Sequence, residues 1–369
     1  MTTSGRFSRR DFLKLSGSAA LGLFWSTLGP PAAKSAGAWL AQGLSSPRLG
    51  RVAYNKIKVY DIPDASGNEL KTCKFDQVLP IAEQVTGVDE SAYNRVWYRL
   101  EEGGYVYSGA IQPVQNVLNS PVAEVPKEGL LAELTVPFTD ARWRATEASP
   151  RGYRLYYGTT YWITALLADQ FKNLWYRIYD DLFKLTFYIR AVHMRIIPPE
   201  EMTPISPDVP DDYKSILVSL PEQLLVAYED TRPVFVANIS SGVGKGKRSW
   251  ASTPTGVFST FFKRPAGHMS GGDGVSSYYD LPGIPWASYI DNNGISMHGT
   301  YWHNDYGKPH SHGCINLASE HAKWIFRWTM PVVPGSKRFI YKPGTGTQVY
   351  ISEQPLFELP GAPRQNFSG

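Results

Sequence analysis

The chain has 369 residues, of which 43% are hydrophobic and 19% charged, and its formal net charge of +4 comes from mixed signs. That length suits two or three domains, and the near balance of charge leaves no electrostatic footprint that demands a nucleic-acid partner. Two cysteines, Cys73 and Cys314, could form one disulfide in an oxidising compartment, which would silence Cys314 as a nucleophile; Cys73 is expected instead as a buried strand residue.

Residues 1–38 read as a targeting segment. Ser8-Arg9-Arg10-Asp11-Phe12-Leu13-Lys14 resembles a twin-arginine export signal, and the uncharged run Leu15 to Leu28 is too short for a membrane span of about twenty residues. Ala36-Gly37-Ala38 offers a small-x-small cleavage site, so the mature chain would begin at Trp39. The expected location is the periplasm or cell wall, reached through the twin-arginine export machinery, with membrane anchoring if the signal is retained.

Residues 45–122 break into short β-rich runs separated by turns at Asp64–Asn68 and Glu102–Gly104. About five strands with tight turns predict a small barrel, and N-R-V-W-Y-R-L-E-E-G-G-Y-V resembles bacterial SH3-like modules. A second, degenerate copy is predicted over 123–198. Asn94–Leu100 is echoed by Asn173–Ile178, and Tyr107–Ile111 by Tyr188–Val192. Residues 199–213, rich in proline, read as an extended and exposed linker.

A third, mostly β domain is predicted over 214–342. Lys214–Leu220, Gln223–Glu229 and Arg232–Ile239 alternate as strands, and Thr253-Pro254-Thr255-Gly256 is a turn feeding another. The glycine-rich stretch Lys263–Ser277 reads as a mobile loop with His268 facing solvent. Trp286–Ile290 leads into the hairpin turn Asn292-Asn293-Gly294 and returns as Ile295 to His298.

Four of the seven histidines then fall beside Cys314 within His298–Asn316, in a loop dense with Gly, Pro, Asn and aromatic residues. A thiol attacks carbonyls well once a base takes its proton, and histidine is the usual base. His298 ends an apolar-leaning run and precedes Gly299, so a strand would deliver it rigidly; it is the expected base. His312 sits in S-H-G-C, where consecutive N–H groups of His312, Gly313 and Cys314 can converge on an oxyanion. Zinc is disfavoured because paired ligand spacings are missing, and no metal or other cofactor is expected.

I-S-M-H-G-T followed by S-H-G-C-I-N resembles the signature of the L,D-transpeptidase (YkuD-type) catalytic domain, and T-P-T-G resembles another of its elements. The resemblance implies that Cys314 is acylated, that His298 is its base, and that the carbonyl of Gly299 holds the imidazole tautomer. It implies stem peptides of peptidoglycan as donor and acceptor, with D-Ala released and a cross-link formed between two diamino acids. Tyr301 and Trp302 would wall the substrate groove, while Ser311 and Asn316 would border the substrate or fix the loop. An L,D-carboxypeptidase with the same acyl-enzyme, and a wall-binding module with a vestigial site, are the alternative readings.

Beyond the loop, Ser319 is expected to cap a short helix with Ala322, Ile325 and Trp328 on one side, ended by Pro331 and Pro334. Lys337–Lys342 and Thr347–Ile351 supply last strands, with the domain boundary placed at 342 and a tail over 343–369. The whole is thus expected to be mostly β: two small barrels, then a β-rich catalytic domain with one helix after the cysteine loop. A monomer is expected.

Overall fold

In the computed structural model the described residues are 48–244, 251–272 and 278–356. The expected export signal and its cleavage site lie outside them. Among the described residues no helix is long and apolar enough to cross a membrane.

The first unit contains β1 (Leu49–Val52), β2 (Lys56–Tyr60), β3 (Glu69–Lys74), β4 (Val78–Thr86), β5 (Val96–Leu100), β6 (Tyr105–Tyr107) and β7 (Ile111–Val114). In β2, Ile57 and Val59 turn inward while Lys56 and Lys58 face water, the two-residue alternation of a half-buried strand. Cys73 in β3 is buried and unbridged, as expected. The second unit repeats the plan with β8 (Leu130–Leu134), β9 (Phe138–Arg142), β10 (Arg151–Tyr156), β11 (Thr160–Ala168), β12 (Leu174–Asp180), β13 (Leu185–Arg190) and β14 (Met194–Ile196).

Strand order is β3-β2-β6-β5-β4-β1-β7 in the first sheet and β10-β9-β13-β12-β11-β8-β14 in the second, which is one topology used twice. A 3-10 turn precedes the last strand in each, at Ser108–Ala110 and Ala191–His193. Each unit therefore has seven strands rather than about five. Trp97 pairs with Tyr107 and Trp175 with Arg190, so the counterpart of Tyr107 is Arg190 and not Tyr188. A slip of two residues keeps every side chain on its own face, and so the hydrophobic pattern is blind to it.

The third unit is built on two five-stranded sheets. One has the order β17-β16-β15-β24-β18, from β15 (Lys214–Ser219), β16 (Leu224–Glu229), β17 (Arg232–Asn238), β18 (Gly256–Ser259) and β24 (Gln348–Ser352). The other has the order β22-β21-β20-β19-β23, from β19 (Phe262–Gly271), β20 (Tyr279–Tyr289), β21 (Ser296–Gly299), β22 (Ile315–Leu317) and β23 (Ile340–Tyr341). The single α-helix among the described residues, α1 (Ser319–Trp328), buries Ala322, Ile325, Phe326 and Trp328 in the main core. Its N-cap is Ala318 with no side-chain cap, so Ser319 is the first helical residue and not the cap.

Buried Lys263 donates to the carbonyls of Phe326 and Thr329 at 2.5 and 2.6 Å, and Lys214 to that of Trp328 at 3.3 Å. Two lysine amines thus meet the carbonyl end of α1, where donors satisfy its free carbonyls, while burial lowers both below the ordinary lysine range.

Four expectations differ from the structure. The stretch 263–271 is strand, paired with β20 from Phe262–Tyr289 to Gly271–Tyr279; its glycines serve close approach, since a Cβ on Gly271 would lie 2.7 Å from the Tyr279 hydroxyl. His268 is buried, with Nδ1 on Asp180 and Nε2 on Asp280, and so joins the second unit to the β19–β20 hairpin instead of facing solvent. The segment 199–213 is docked and not extended: Met202 enters the core, Glu201 pairs with Arg195 and Lys323, and Arg327 donates to the Thr203 carbonyl at 2.8 Å. Finally, β24 lies between β15 and β18, so the third unit runs past residue 342 and residues 348–352 are no tail.

Candidate active site

Every residue of β21 is buried, and its pairing is antiparallel with β20 and parallel with β22. Parallel pairing sets His298 opposite Asn316. Cys314 stands just before β22, and its sulfur lies 3.7 Å from the hydroxyl of Ser296, which shares a face of β21 with His298 two residues on. The imidazole is 3% exposed, and its Nδ1 is 2.9 Å from the Gly299 carbonyl. A carbonyl only accepts, so Nδ1 carries the proton and Nε2 keeps a lone pair. Burial drives the ring down to about 4, against the Gly299 hydrogen bond, and the imidazole is neutral at neutral pH.

The Cys314 thiol lies 3.6 Å from the Gly294 carbonyl and 3.7 Å from the Ser296 hydroxyl. The Ser296 backbone also reaches it, and a direct bond to His298 is not among its hydrogen bonds with the described residues. Burial pushes the thiol above its ordinary value, and hydrogen bonds from Ser296 only partly oppose this. Thiol and imidazole are thus both neutral at rest.

The turn before Cys314 is held from several sides. Gly313 has φ +121°, and a Cβ there would come within 2.7 Å of Ile295 Cδ1, so the position requires glycine. Its N–H donates to Ser311 Oγ at 3.1 Å and its carbonyl accepts from Thr253 Oγ1 at 2.8 Å. The first bond takes the Gly313 N–H out of the expected set of oxyanion donors. Thr253, which as part of a proline turn carried no chemical expectation, also accepts from the Gly242 N–H at 2.8 Å and so ties two loops to the cysteine turn.

Ser311 and Asn316 are buried and fix the loop. The Ser311 hydroxyl donates to the Cys314 carbonyl, and Asn316 Nδ2 lies 3.2 Å from His303 Nε2. His303 is stacked on His310 with centroids 4.5 Å apart, and burial, then the neighbouring His310, hold it down to about 3. His312 has its ring 4.8 Å from that of Tyr279, at the end of the β19–β20 hairpin.

Trp302 is half-buried with its ring 5.9 Å from that of His298 and stays a candidate groove wall. Tyr301 does not. It is 4% exposed and stacked on Tyr156 of the second unit at 5.4 Å, while its carbonyl accepts from Arg51 of the first unit at 2.6 Å. Its aromatic surface is spent on packing between units. Among the described residues no group of three or more His, Cys, Asp or Glu could hold a metal ion.

Residues 213–351 match the YkuD family, the L,D-transpeptidase catalytic domain. Similar solved structures include an L,D-transpeptidase from Xylanimonas cellulosilytica, 27% identical over 38% of this chain and 60% of its own, with a TM-score of 0.27. The catalytic domain of the E. faecium L,D-transpeptidase is 26% identical over 38% of this chain and 96% of its own, with a TM-score of 0.29. An L,D-transpeptidase from Mycobacterium smegmatis is 14% identical over 70% of this chain and 90% of its own, with a TM-score of 0.30. This chain therefore spans 60% of the Xylanimonas chain. No curated protein matches it.

Proposed function

We propose that the chain is a peptidoglycan L,D-transpeptidase in which Cys314 is the nucleophile and His298 its base. The observation that supports this reading is that Ser296, two residues before His298 on the same face of β21, lies 3.7 Å from the Cys314 sulfur, while Gly299 holds His298 Nδ1. With both groups neutral at rest, proton transfer accompanies attack. Nε2 takes the thiol proton as sulfur bonds to the carbonyl carbon of the diamino acid in a stem tetrapeptide. Backbone N–H groups of the turn at Cys314 face the oxyanion, a position at which donors lower the barrier most. The bond to D-Ala then breaks, and its amine leaves with the proton from His298. A side-chain amine of a second stem attacks the thioester, gives a proton to His298, and the thiol is restored from it. No cofactor enters these steps.

In the same reading, residues 1–38 export the protein to the periplasm or cell wall by the twin-arginine route, and the two N-terminal units are SH3-like modules that position the catalytic unit of a monomeric enzyme. Trp302 borders the stem peptide.

Intact-protein mass spectrometry tests the chemistry. Mixed with a stem tetrapeptide, and separately with a carbapenem, the enzyme should form an adduct on Cys314 that is lost in Cys314→Ala and His298→Ala. The products then separate transfer from hydrolysis. Folded protein with a free Cys314 thiol that forms no adduct would overturn the reading in favour of a wall-binding module.

A further inference from the structure

The loop between His298 and Cys314 is gripped from outside the catalytic unit, and the grip centres on Asp305. This carboxylate belongs to a residue 1% exposed. Its Oδ1 accepts from the hydroxyls of Tyr93 and Tyr107 in the first unit, the latter at 2.6 Å, and its Oδ2 from Lys308 at 2.5 Å and His310 Nε2 at 3.0 Å. The two tyrosine hydroxyls are themselves 2.9 Å apart.

The backbone of the first unit closes on the same spot. A Cβ on Gly109 would fall 2.5 Å from Asp305 Oδ1, and the Gly109 carbonyl accepts from the Asn304 N–H at 3.0 Å. Arg51, also in the first unit, holds the Tyr301 carbonyl. The loop is thus fastened at residues 301, 304 and 305 by a part of the chain roughly 200 to 250 residues earlier.

From Asp305 the contacts run inward. His310 stacks on His303; His303 Nδ1 accepts from the Asp305 N–H at 3.2 Å, and its Nε2 faces Asn316, the residue paired with His298 across β21 and β22. Four donors meet one carboxylate. An amide in its place would set its own N–H groups against two of them, at a position 1% exposed.

We infer that Asp305 is a positioning residue for the Cys314 loop and that Tyr93 and Tyr107 make the first β unit part of the active-site scaffold; this rests on the transpeptidase reading given above. Asp305 touches no reacting atom. It acts by fixing where the thiol and the turn behind it stand.

The experiment uses the full chain with Asp305→Asn and, separately, the double variant Tyr93→Phe/Tyr107→Phe, which keeps both rings and deletes only the hydroxyls. Single-turnover acylation of Cys314 by a carbapenem and its alkylation by iodoacetamide are followed by mass, well below each variant's melting temperature. Misplacement of about 1 Å can cost about 100-fold in rate, so acylation per folded molecule should fall at least about tenfold in both variants. A unit that only stabilises the fold would lower the melting temperature and leave that rate within twofold of wild type, and this result would overturn the inference. Wild-type protein that alkylates but does not acylate defeats the transpeptidase reading instead. The positioning role is then judged on alkylation: a change of at least threefold in both variants sustains it, and unchanged rates overturn it.

Discussion

The neutral pair at the site makes a prediction about how Cys314 reacts with a small alkylating agent. Burial holds the His298 imidazole down to about 4 and lifts the Cys314 thiol above its ordinary 9.0. Both shifts oppose transfer of the proton from the resting thiol to the imidazole, so the thiolate is a minor species at pH 7. Iodoacetamide alkylation of Cys314 should climb about tenfold per pH unit from pH 6 to 8, with no plateau, and His298→Ala should leave the shape of that profile unaltered. Acylation by a stem peptide or carbapenem should behave differently, falling about 100-fold or more in His298→Ala because it needs a base in the transition state. The assay is mass-resolved alkylation across pH, with acylation followed on the same samples. A flat alkylation rate between pH 5 and 8 that His298→Ala abolishes would mean a preformed thiolate–imidazolium pair, and the argument from burial would be refuted.

Three further outcomes follow from packing. Arg51→Met leaves the Tyr301 carbonyl and Gln112 Oε1 without their donor, while Asp76 keeps Arg154 at 3.0 Å; a buried guanidinium lost in this way should cost about 3 kcal/mol in the first urea transition, and a loss under about 1 kcal/mol would contradict the linking role. At His268 burial opposes protonation, but Asp180 and Asp280 outweigh it and raise the ring. Its stabilising contribution is therefore complete below the ordinary 6.5 and is lost as pH rises through the raised value. The melting-temperature gap between wild type and His268→Gln should accordingly narrow from pH 6 towards pH 9; a constant gap would show that the ion pairs contribute nothing. Gly313→Ala, forced to keep φ +121° against Ile295, should retain the fold by circular dichroism yet lose about tenfold or more in acylation, and full activity would show that the turn relaxes freely.

Much of the site was legible because its residues are close in sequence. His298 and Gly299 end a strand, and S-H-G-C turns into the next, so local pattern suffices to locate both of the groups proposed to react. What pattern missed lies in long-range contacts. Asp305 reads as a polar loop residue until Tyr93 and Tyr107 arrive from the first unit, and Tyr301 reads as a groove aromatic until Tyr156 stacks on it. Gly267 and Gly271 suggested a loop because sequence does not distinguish glycine used for flexibility from glycine used to let a neighbouring side chain cross a strand. Proline density at 199–213 likewise suggested exposure, although Met202 packs into the main hydrophobic core.

The placement of β24 bears on how the protein comes to be made. Strand β15 begins the catalytic unit, yet its parallel partner is residues 348–352, synthesised after everything that holds the reactive loop. Closing a loop of that length is entropically slow. Until it closes, β15 and β18 each expose an unpaired edge, a template for association with other chains. A ribosome stalled before β24 would therefore release a catalytic unit carrying both His298 and Cys314 but no finished sheet, and quality control has a reason to act on the interval between the two.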